Sequence, residues 1–275
     1  MKSIKYIKEF IILCILLFKY DFKKIKSITP NHNLKKRLII SLTSKKARFR
    51  FLKLVISSIF NQTINPDEII LWIDKNEKKF LNEEILSYKK KGLKIKFCNN
   101  LKSYNKIFYL LKEKNKFIIT LDDDVIYNKH TVSSLINKYN KTKNDLIISN
   151  RIHKIKLKNK LPIAYKNWEW NSTNTKADIL NFQTGVYGVL YPPNCFYKDV
   201  KKKQIFQKLS PYADDIWLYW MIRLNKKKVI WSEFRYYNYN LLNFDRSQLR
   251  KLNVGEDKND KQIMNMIKNY GFPQK

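Results

Sequence analysis

Phe117-Ile118-Ile119-Thr120-Leu121-Asp122-Asp123-Asp124 decides how this chain is read. Five residues suited to a buried strand end abruptly in three carboxylates. Such a strand runs to the edge of a sheet and delivers its last residues to the rim. In open α/β sheets, ligands bind at the rim formed by the strand C-termini. Three acids at one strand end repel each other and lose hydration at a cost. A divalent cation would cancel that repulsion, and oxygen-only ligands suit a hard ion, Mg²⁺ or Mn²⁺. Asp122 and Asp124 are two residues apart, so in an extended segment they project to the same side. The competing reading is a polar loop whose acids only turn the chain or cap a helix.

The pattern repeats toward the N-terminus. Leu38–Ser44 is a strand ending in small hydroxyl residues, which let a ligand approach the backbone. Residues 47–61 carry Phe51, Leu52, Val55, Ile56, Ile59 and Phe60 at helical spacing. After the turn Asn65-Pro66-Asp67, a strand over Glu68–Ile73 ends at Asp74. A polar helix is predicted over 77–91, closed by Gly92, then an alternating, edge-like strand over Leu93–Phe97. A helix over 104–114 leads into the acidic strand. The order β-α-β-α-β-α-β implies an α/β fold with a mostly parallel sheet and right-handed crossovers.

Toward the C-terminus, residues 129–141 read as a helix and Asp145–Ser149 as a strand. Residues 151–183 lose periodicity, and a long irregular insertion in a compact domain is usually functional. Trp168 and Trp170 within it are either platforms for sugar rings or buried anchors. Thr184–Pro193 reads as a strand containing Gly185 and Gly188, which mark a bulge or a close backbone approach. Asp214 and Asp215 precede Ile216–Ile222, a helix apolar on nearly all faces. Those two acids could be no more than residues favoured by the helix dipole. A strand over Lys228–Trp231 follows, then a polar, aromatic tail from 232 with a weakly helical end at 258–269.

Composition narrows the function classes. The formal charge is +33, which points to nucleic acid, an anionic membrane or a phosphorylated substrate. Lysines far outnumber the eight arginines, whereas base contacts and phosphate forks favour Arg. Nucleic acid is therefore the weaker reading and an anionic membrane surface the stronger. Cys14, Cys98 and Cys195 are too scattered for a disulfide framework. His32, His130 and His153 form no zinc spacing. The expected setting is a reducing cytoplasm. Three regions are expected: an N-terminal segment over 1–34, the main domain over 35–235, and a tail over 236–275 that packs on it. In the first, the apolar run Phe10–Phe18 is flanked by lysines and is too short to span a bilayer. It is either an interfacial helix at the inner face of the cytoplasmic membrane or a helix packed on the domain.

Three blocks then line up with a known family. They are Leu38–Ser44 through Trp72, Asp122–Tyr127, and Gly188–Pro193 followed by Asp214–Trp217. In this order and spacing the chain resembles the family-2-like glycosyltransferases of the GT-A fold, specifically bacterial cell-surface polysaccharide enzymes. The resemblance covers about residues 36–232. It implies a GT-A Rossmann-like central sheet, a nucleotide-sugar donor, a Mn²⁺ or Mg²⁺ ion, and a saccharide or lipid-linked acceptor. It implies that Ser41, Thr43 and Ser44 form the nucleoside segment, with Asp74 toward the base and Lys106 and Asp123 near the nucleotide. Asp122 and Asp124 match the metal-binding DxD pair. Asp214 and Asp215 match a Glu-Asp pair whose second acid is the base, and Gly188 and Trp217 fall in the acceptor block. The family's Asp-Asp-Gly-Ser loop is absent, and no His follows His153 to serve as a late metal ligand.

The chemistry is consistent with that resemblance. Glycosyl transfer breaks the bond from the anomeric carbon to a diphosphate. Negative charge grows on the leaving group, and a metal on Asp122 and Asp124 would stabilise it. An acceptor hydroxyl must lose a proton, which a carboxylate in reach can take. Asp215 is the candidate, and inversion is what the resemblance implies. Two other classes compete. A nucleotidyltransferase would use a similar sheet and acids, but Ser41–Ala47 lacks its glycine-rich phosphate loop. A non-catalytic membrane-associated binding protein would not need the acids intact.

Overall fold

The computed structural model describes residues 25–113, 115–142, 146–241 and 257–273. The apolar run at 10–18 and part of the tail, 242–256, lie outside the described residues. The main strands and helices are β1 Leu38–Ser44, α1 Phe49–Phe60, β2 Glu68–Asp74, β3 Leu93–Cys98, α2 Asn105–Phe108 and β4 Phe117–Thr120. They continue with α3 Thr131–Thr142, β5 Ile147–Ser149, β6 Val189–Tyr191, α4 Asp214–Leu224, β7 Val229–Trp231 and α5 Lys258–Tyr270. One seven-stranded sheet runs in the order β7-β5-β6-β4-β1-β2-β3. β1 pairs parallel with both β2 and β4, with Leu38 opposite Phe117 and Ser41 opposite Thr120.

The strands read as continuous apolar runs because both sheet faces are covered. Alternate residues feed two cores. Ile39, Ile70, Ile118 and Val189 face one. Leu38, Ile40, Ile69, Ile119 and Leu190 face the other. Helices α1 and α3 close the second core through Leu52, Val55, Ile56, Val132 and Leu135. Helix α4 closes the first with Trp217 and Trp220, both fully buried, and α5 adds Ile263 and Met266. Each fully buried large apolar side chain contributes about 1.5–3 kcal/mol. A helix apolar all round is thus explained by its position under the sheet.

β6 is the one reversed strand, antiparallel to β4 and to β5. No crossover helix separates β5 from β6, so the chain re-enters the sheet at the rim it left, with Val189 opposite Ser149. The insertion at 151–183 leaves the sheet at the rim where the parallel strands end and also reaches back along β7, where the Asp178 N–H donates to Val229 O at 3.1 Å. It is not irregular throughout: Ile152–Lys154 pairs antiparallel with Asn181–Gln183, and Leu157–Lys158 with Leu161–Pro162. After β6 the chain climbs back to the rim, and α4 starts there with Asp214.

Several predicted elements differ in detail. The helix expected at 77–91 is three pieces: a 3-10 segment Lys75–Phe80, a helical turn Glu83–Ser87 and a 3-10 segment Tyr88–Lys91. Asn82 causes the break. Its side chain accepts the Ile85 N–H at 3.0 Å and restarts the helix as an N-cap. Gly92 ends the run at φ +105°, as a left-handed terminator. The helix expected at 104–114 keeps one α turn, α2, between 3-10 segments. The strand expected at 184–193 is confined to β6, with both glycines in the turn before it.

Residues 25–34 run along the domain. Ile25 is buried, the Ile28 N–H donates to Lys91 O at 3.1 Å, and His32 bonds Asp67 at 2.7 Å. Among the described residues, no helix is long and apolar enough to cross a membrane.

Candidate functional site

The acidic turn sits where β4 leaves the sheet. Leu121 keeps strand pairing, its N–H donating to Ser41 O at 3.0 Å. A buried tyrosine then fixes the turn. The Asp122 N–H donates to the Tyr127 hydroxyl at 2.7 Å, and that hydroxyl donates to Asp122 O at 3.1 Å. The Tyr127 N–H in turn donates to Ser58 Oγ on α1. The three carboxylates therefore leave the rim from a rigid base. They line a cavity of about 690 Å³ together with Thr43, Ser44, Asp74, Lys106, Asp214 and Asp215.

Lys106 on α2 joins the two acidic groups. Its Nζ lies 2.8 Å from Asp122 Oδ1 and 3.2 Å from Asp214 Oδ2, and the residue is only 4% exposed. Gly185 closes the other side. Its N–H donates to Asp215 Oδ2 at 3.0 Å. A Cβ added at Gly185 would stand 3.0 Å from Lys106 Nζ, 3.2 Å from Asp215 Oδ1 and 3.7 Å from Asp122 Oδ1. The missing side chain is what lets Asp122, Lys106 and Asp215 share one space. Asp214 and Asp215 were open to a purely helix-favouring role, yet neither side chain caps α4, and both turn into the cleft.

Crowding these charges shifts their protonation. Burial and the Asp214 carboxylate raise Asp215 to about 7, against relief from Lys106 and the Gly185 N–H. Burial and the Asp123 carboxylate raise Asp124 to about 7, eased by Arg48. Burial disfavours the charged form of Lys106, but Asp122, Asp214 and Asp215 hold its pKa well above normal. A carboxylate pushed up by its neighbours is one that a cation would restore to its charged form.

The donor set fits a hard divalent ion. Asp122 and Asp124 offer oxygen ligands only, and Mg²⁺-type ions are bound by one or two carboxylates with substrate phosphates and water completing the shell. Among the described residues there is no group of three or more His, Cys, Asp or Glu side chains able to hold an ion unaided.

Not every predicted site residue reaches the cleft. Thr43, Ser44, Asp74, Lys106, Asp122, Asp123, Asp124, Asp214 and Asp215 line it. Ser41 does not: it is fully buried in the sheet, and its Oγ accepts the Trp72 indole N–H at 3.0 Å. Trp217 is corrected likewise, from acceptor contact to core, its indole N–H donating to Val200 O at 3.2 Å. Gly188 is a turn residue at φ +102°, where a Cβ would meet Leu121 Cδ2 at 2.9 Å. It shapes the turn that presents Gly185 and does not line the cavity.

Other cleft residues escaped the sequence reading. Arg48, at the end of the 3-10 turn after β1, hydrogen bonds Asp123 Oδ1 and stands 3.2 Å from Asp124 Oδ2. A basic residue after the first strand was the available signal. Gln262 on α5 lies outside the lining but holds the loop carrying Asp214. Its Oε1 accepts the Tyr212 and Ala213 N–H groups at 2.9 and 3.1 Å and approaches Ser210 Oγ at 3.2 Å. No local pattern ties residue 262 to residue 214.

The insertion forms the far wall of the cavity. Trp168 is the buried anchor, its indole N–H donating to Ile163 O at 2.8 Å. Trp170 lines the cavity and stacks on His153, with centroids 4.9 Å apart at 27°. Burial and the neighbouring Arg151 lower His153 to about 3, so the imidazole is neutral there, and its Nδ1 accepts the Asn171 N–H at 3.1 Å.

A family match and a solved structure agree with this architecture. The family described as "Glycosyl transferase family 2" matches residues 43–206. The crystal structure of S. aureus TarS residues 1–349 aligns with a TM-score of 0.50 at 13% identity, covering 85% of this chain and 72% of that one. The same fragment in complex with UDP-GlcNAc aligns with a TM-score of 0.48 at 15% identity, over 74% of this chain and 58% of that one. By sequence, the chain is 28% identical over 182 residues to the small ribosomal subunit protein uS3m of Cyberlindnera mrakii. That match covers 61% of this chain and spans less than half of the ribosomal protein, 45%. It establishes no kinship.

Proposed function

The chain belongs to glycosyl transferase family 2 and is a glycosyltransferase, and on that premise we propose that it moves a sugar from a nucleotide-sugar donor to a saccharide or lipid-linked acceptor. The acceptor belongs to cell-surface polysaccharide or lipopolysaccharide synthesis, and transfer proceeds with inversion. One observation carries the reading. Asp122 and Asp215 come from distant parts of the chain, yet both stand against the space left by the missing side chain of Gly185. That proximity supports a scheme in which one group handles the leaving diphosphate and the other takes the acceptor proton at one reacting centre.

In this scheme Asp122 and Asp124 would hold a divalent ion, Mn²⁺ or Mg²⁺, which when bound would supply charge neutralisation to the leaving diphosphate. Thr43, Ser44 and Asp74, at the ends of β1 and β2, border the nucleoside, with Asp123 beside them. Asp215 accepts the proton of the acceptor hydroxyl. Its pKa near neutrality suits a general base. Lys106 positions Asp122 and Asp214, holding a cation between the two acidic segments. Trp170 and Tyr187 wall the acceptor side, where an aromatic face can stack on a sugar ring.

The test compares the parent protein with Asp124→Ala in thermal melts with and without Mn²⁺ plus a nucleoside diphosphate. The expected result is stabilisation of the parent by the pair and none of the variant, both folded. Equal stabilisation of the two proteins would remove Asp124 from the metal site.

A further inference from the structure

Arg48 competes with any metal ion for the same carboxylate. Its guanidinium hydrogen bonds Asp123 and stands 3.2 Å from Asp124 Oδ2. Its side chain is only 16% exposed, so water screens the contact weakly. On the opposite side Lys106 holds Asp122 Oδ1 at 2.8 Å. A divalent ion arriving alone meets outer acids that are already matched by protein cations. A diphosphate alters that balance, because its oxygens can take a guanidinium fork in place of the carboxylates. Arg48 lines the same cavity as Thr43, Ser44 and Asp74, on the side where the first two strands end.

We propose that Arg48 is an exchangeable counter-ion: its guanidinium leaves Asp124 for the donor's diphosphate when a metal ion takes that carboxylate. The inference rests on the metal-dependent reading given above. No covalent bond is made or broken in the exchange. Its consequence is thermodynamic. Metal and diphosphate must each raise the affinity for the other, by the same factor, because each removes a competitor of its partner. The arrangement also disfavours metal capture without donor.

The experiment titrates Mn²⁺ calorimetrically into the full chain, alone and with saturating UDP or GDP, for the parent, Arg48→Gln and Arg48→Lys. An opposite charge within about 4–6 Å lowers a carboxylate's proton affinity by about tenfold or more, and it opposes the binding of a metal cation in the same sense. Arg48→Gln should therefore bind Mn²⁺ alone about tenfold tighter than the parent, and bind the diphosphate about tenfold more weakly. Arg48→Lys keeps the charge and loses the fork. It should keep the parent's weak affinity for Mn²⁺ alone and still lose diphosphate affinity, which also serves if the glutamine variant fails to fold. Unchanged Mn²⁺ affinity in Arg48→Gln, with the parent binding Mn²⁺ and UDP or GDP together, would overturn the exchange and leave the metal site standing. An Arg48→Lys protein with the parent's diphosphate affinity would also overturn it. No Mn²⁺ uptake by the parent with either nucleotide would overturn the metal site and the exchange together.

Discussion

Replacing the proposed base with its neutral isostere should stabilise the protein while stopping its chemistry. Burial and Asp214 raise Asp215 from 3.8 to about 7. Between those two values the folded protein holds a proton that the unfolded chain has released, so this site's contribution to stability falls as pH rises. The penalty is complete above about pH 7. A tenfold change in proton affinity is about 1.4 kcal/mol, so the penalty is at most about 4 kcal/mol. Asn at this position cannot ionise, and its side-chain oxygen can still accept the Gly185 N–H. Asp215→Asn should thus melt several degrees above the parent at pH 8.5, at about 2–4 °C per kcal/mol for a chain near this size. The gap should shrink toward pH 4.5, where the parent carboxyl is protonated in the fold. Turnover should fall about a hundred- to ten-thousand-fold. The assay is paired thermal melts in metal-free buffer at both pH values, with steady-state kinetics at saturating donor. A variant that melts at or below the parent at pH 8.5 would refute the burial argument. One that keeps its kcat would remove Asp215 from the proton transfer.

Gly185→Ala places a methyl 3.0 Å from Lys106 Nζ, which a flexible lysine can vacate. We expect little change in melting temperature but a kcat loss of about a hundredfold, since small misplacements at a reacting centre are costly. Gln262→Leu removes the acceptor of the buried Ala213 N–H, at about 1–3 kcal/mol, and of the half-buried Tyr212 N–H at a smaller cost. Melting should drop by several degrees, and kcat should fall more than donor affinity, as calorimetry and kinetics can show. Removing residues 1–24 should leave the transferase folded and weaken co-sedimentation with anionic vesicles in a salt-dependent way. Equal sedimentation would return the lysine-flanked run Phe10–Phe18 to a packing role.

The parallel half of the sheet was legible because its strands are buried on both faces and so stand out as apolar runs ending in polar residues. Asp122, Asp124 and Asp215 were legible as cleft residues because carboxylates abutting such runs violate the core pattern. The insertion hid its short strands, since two- and three-residue pairings leave no period to detect. Ser41, Gly188 and Trp217 were misplaced for a shared reason. Each lies near a site residue in the chain, but the alternation of a strand, the hand of a turn or the rotation of a helix points it elsewhere. Gln262 became visible only in three dimensions, as did the partners of Arg48 and of Gly185, although the sequence marked Gly185 as a close backbone approach. The roles of Arg48, Gly185 and Gln262 come from partners 76, 30 and 49 residues away, and a single sequence carries no mark of such pairings.

The central claim is metal-assisted glycosyl transfer in the cleft between Asp122 and Asp215. The most direct measurement incubates the full chain with a panel of radiolabelled nucleotide-sugars, with Mn²⁺ or with chelator, and follows release of the nucleoside diphosphate. The expected result is that one donor is cleaved, that cleavage needs the metal, and that Asp124→Ala abolishes it in a folded protein. Cleavage of a donor at equal rates in chelator, or no cleavage of any donor beside condensation of a sugar phosphate with a nucleoside triphosphate, would contradict it.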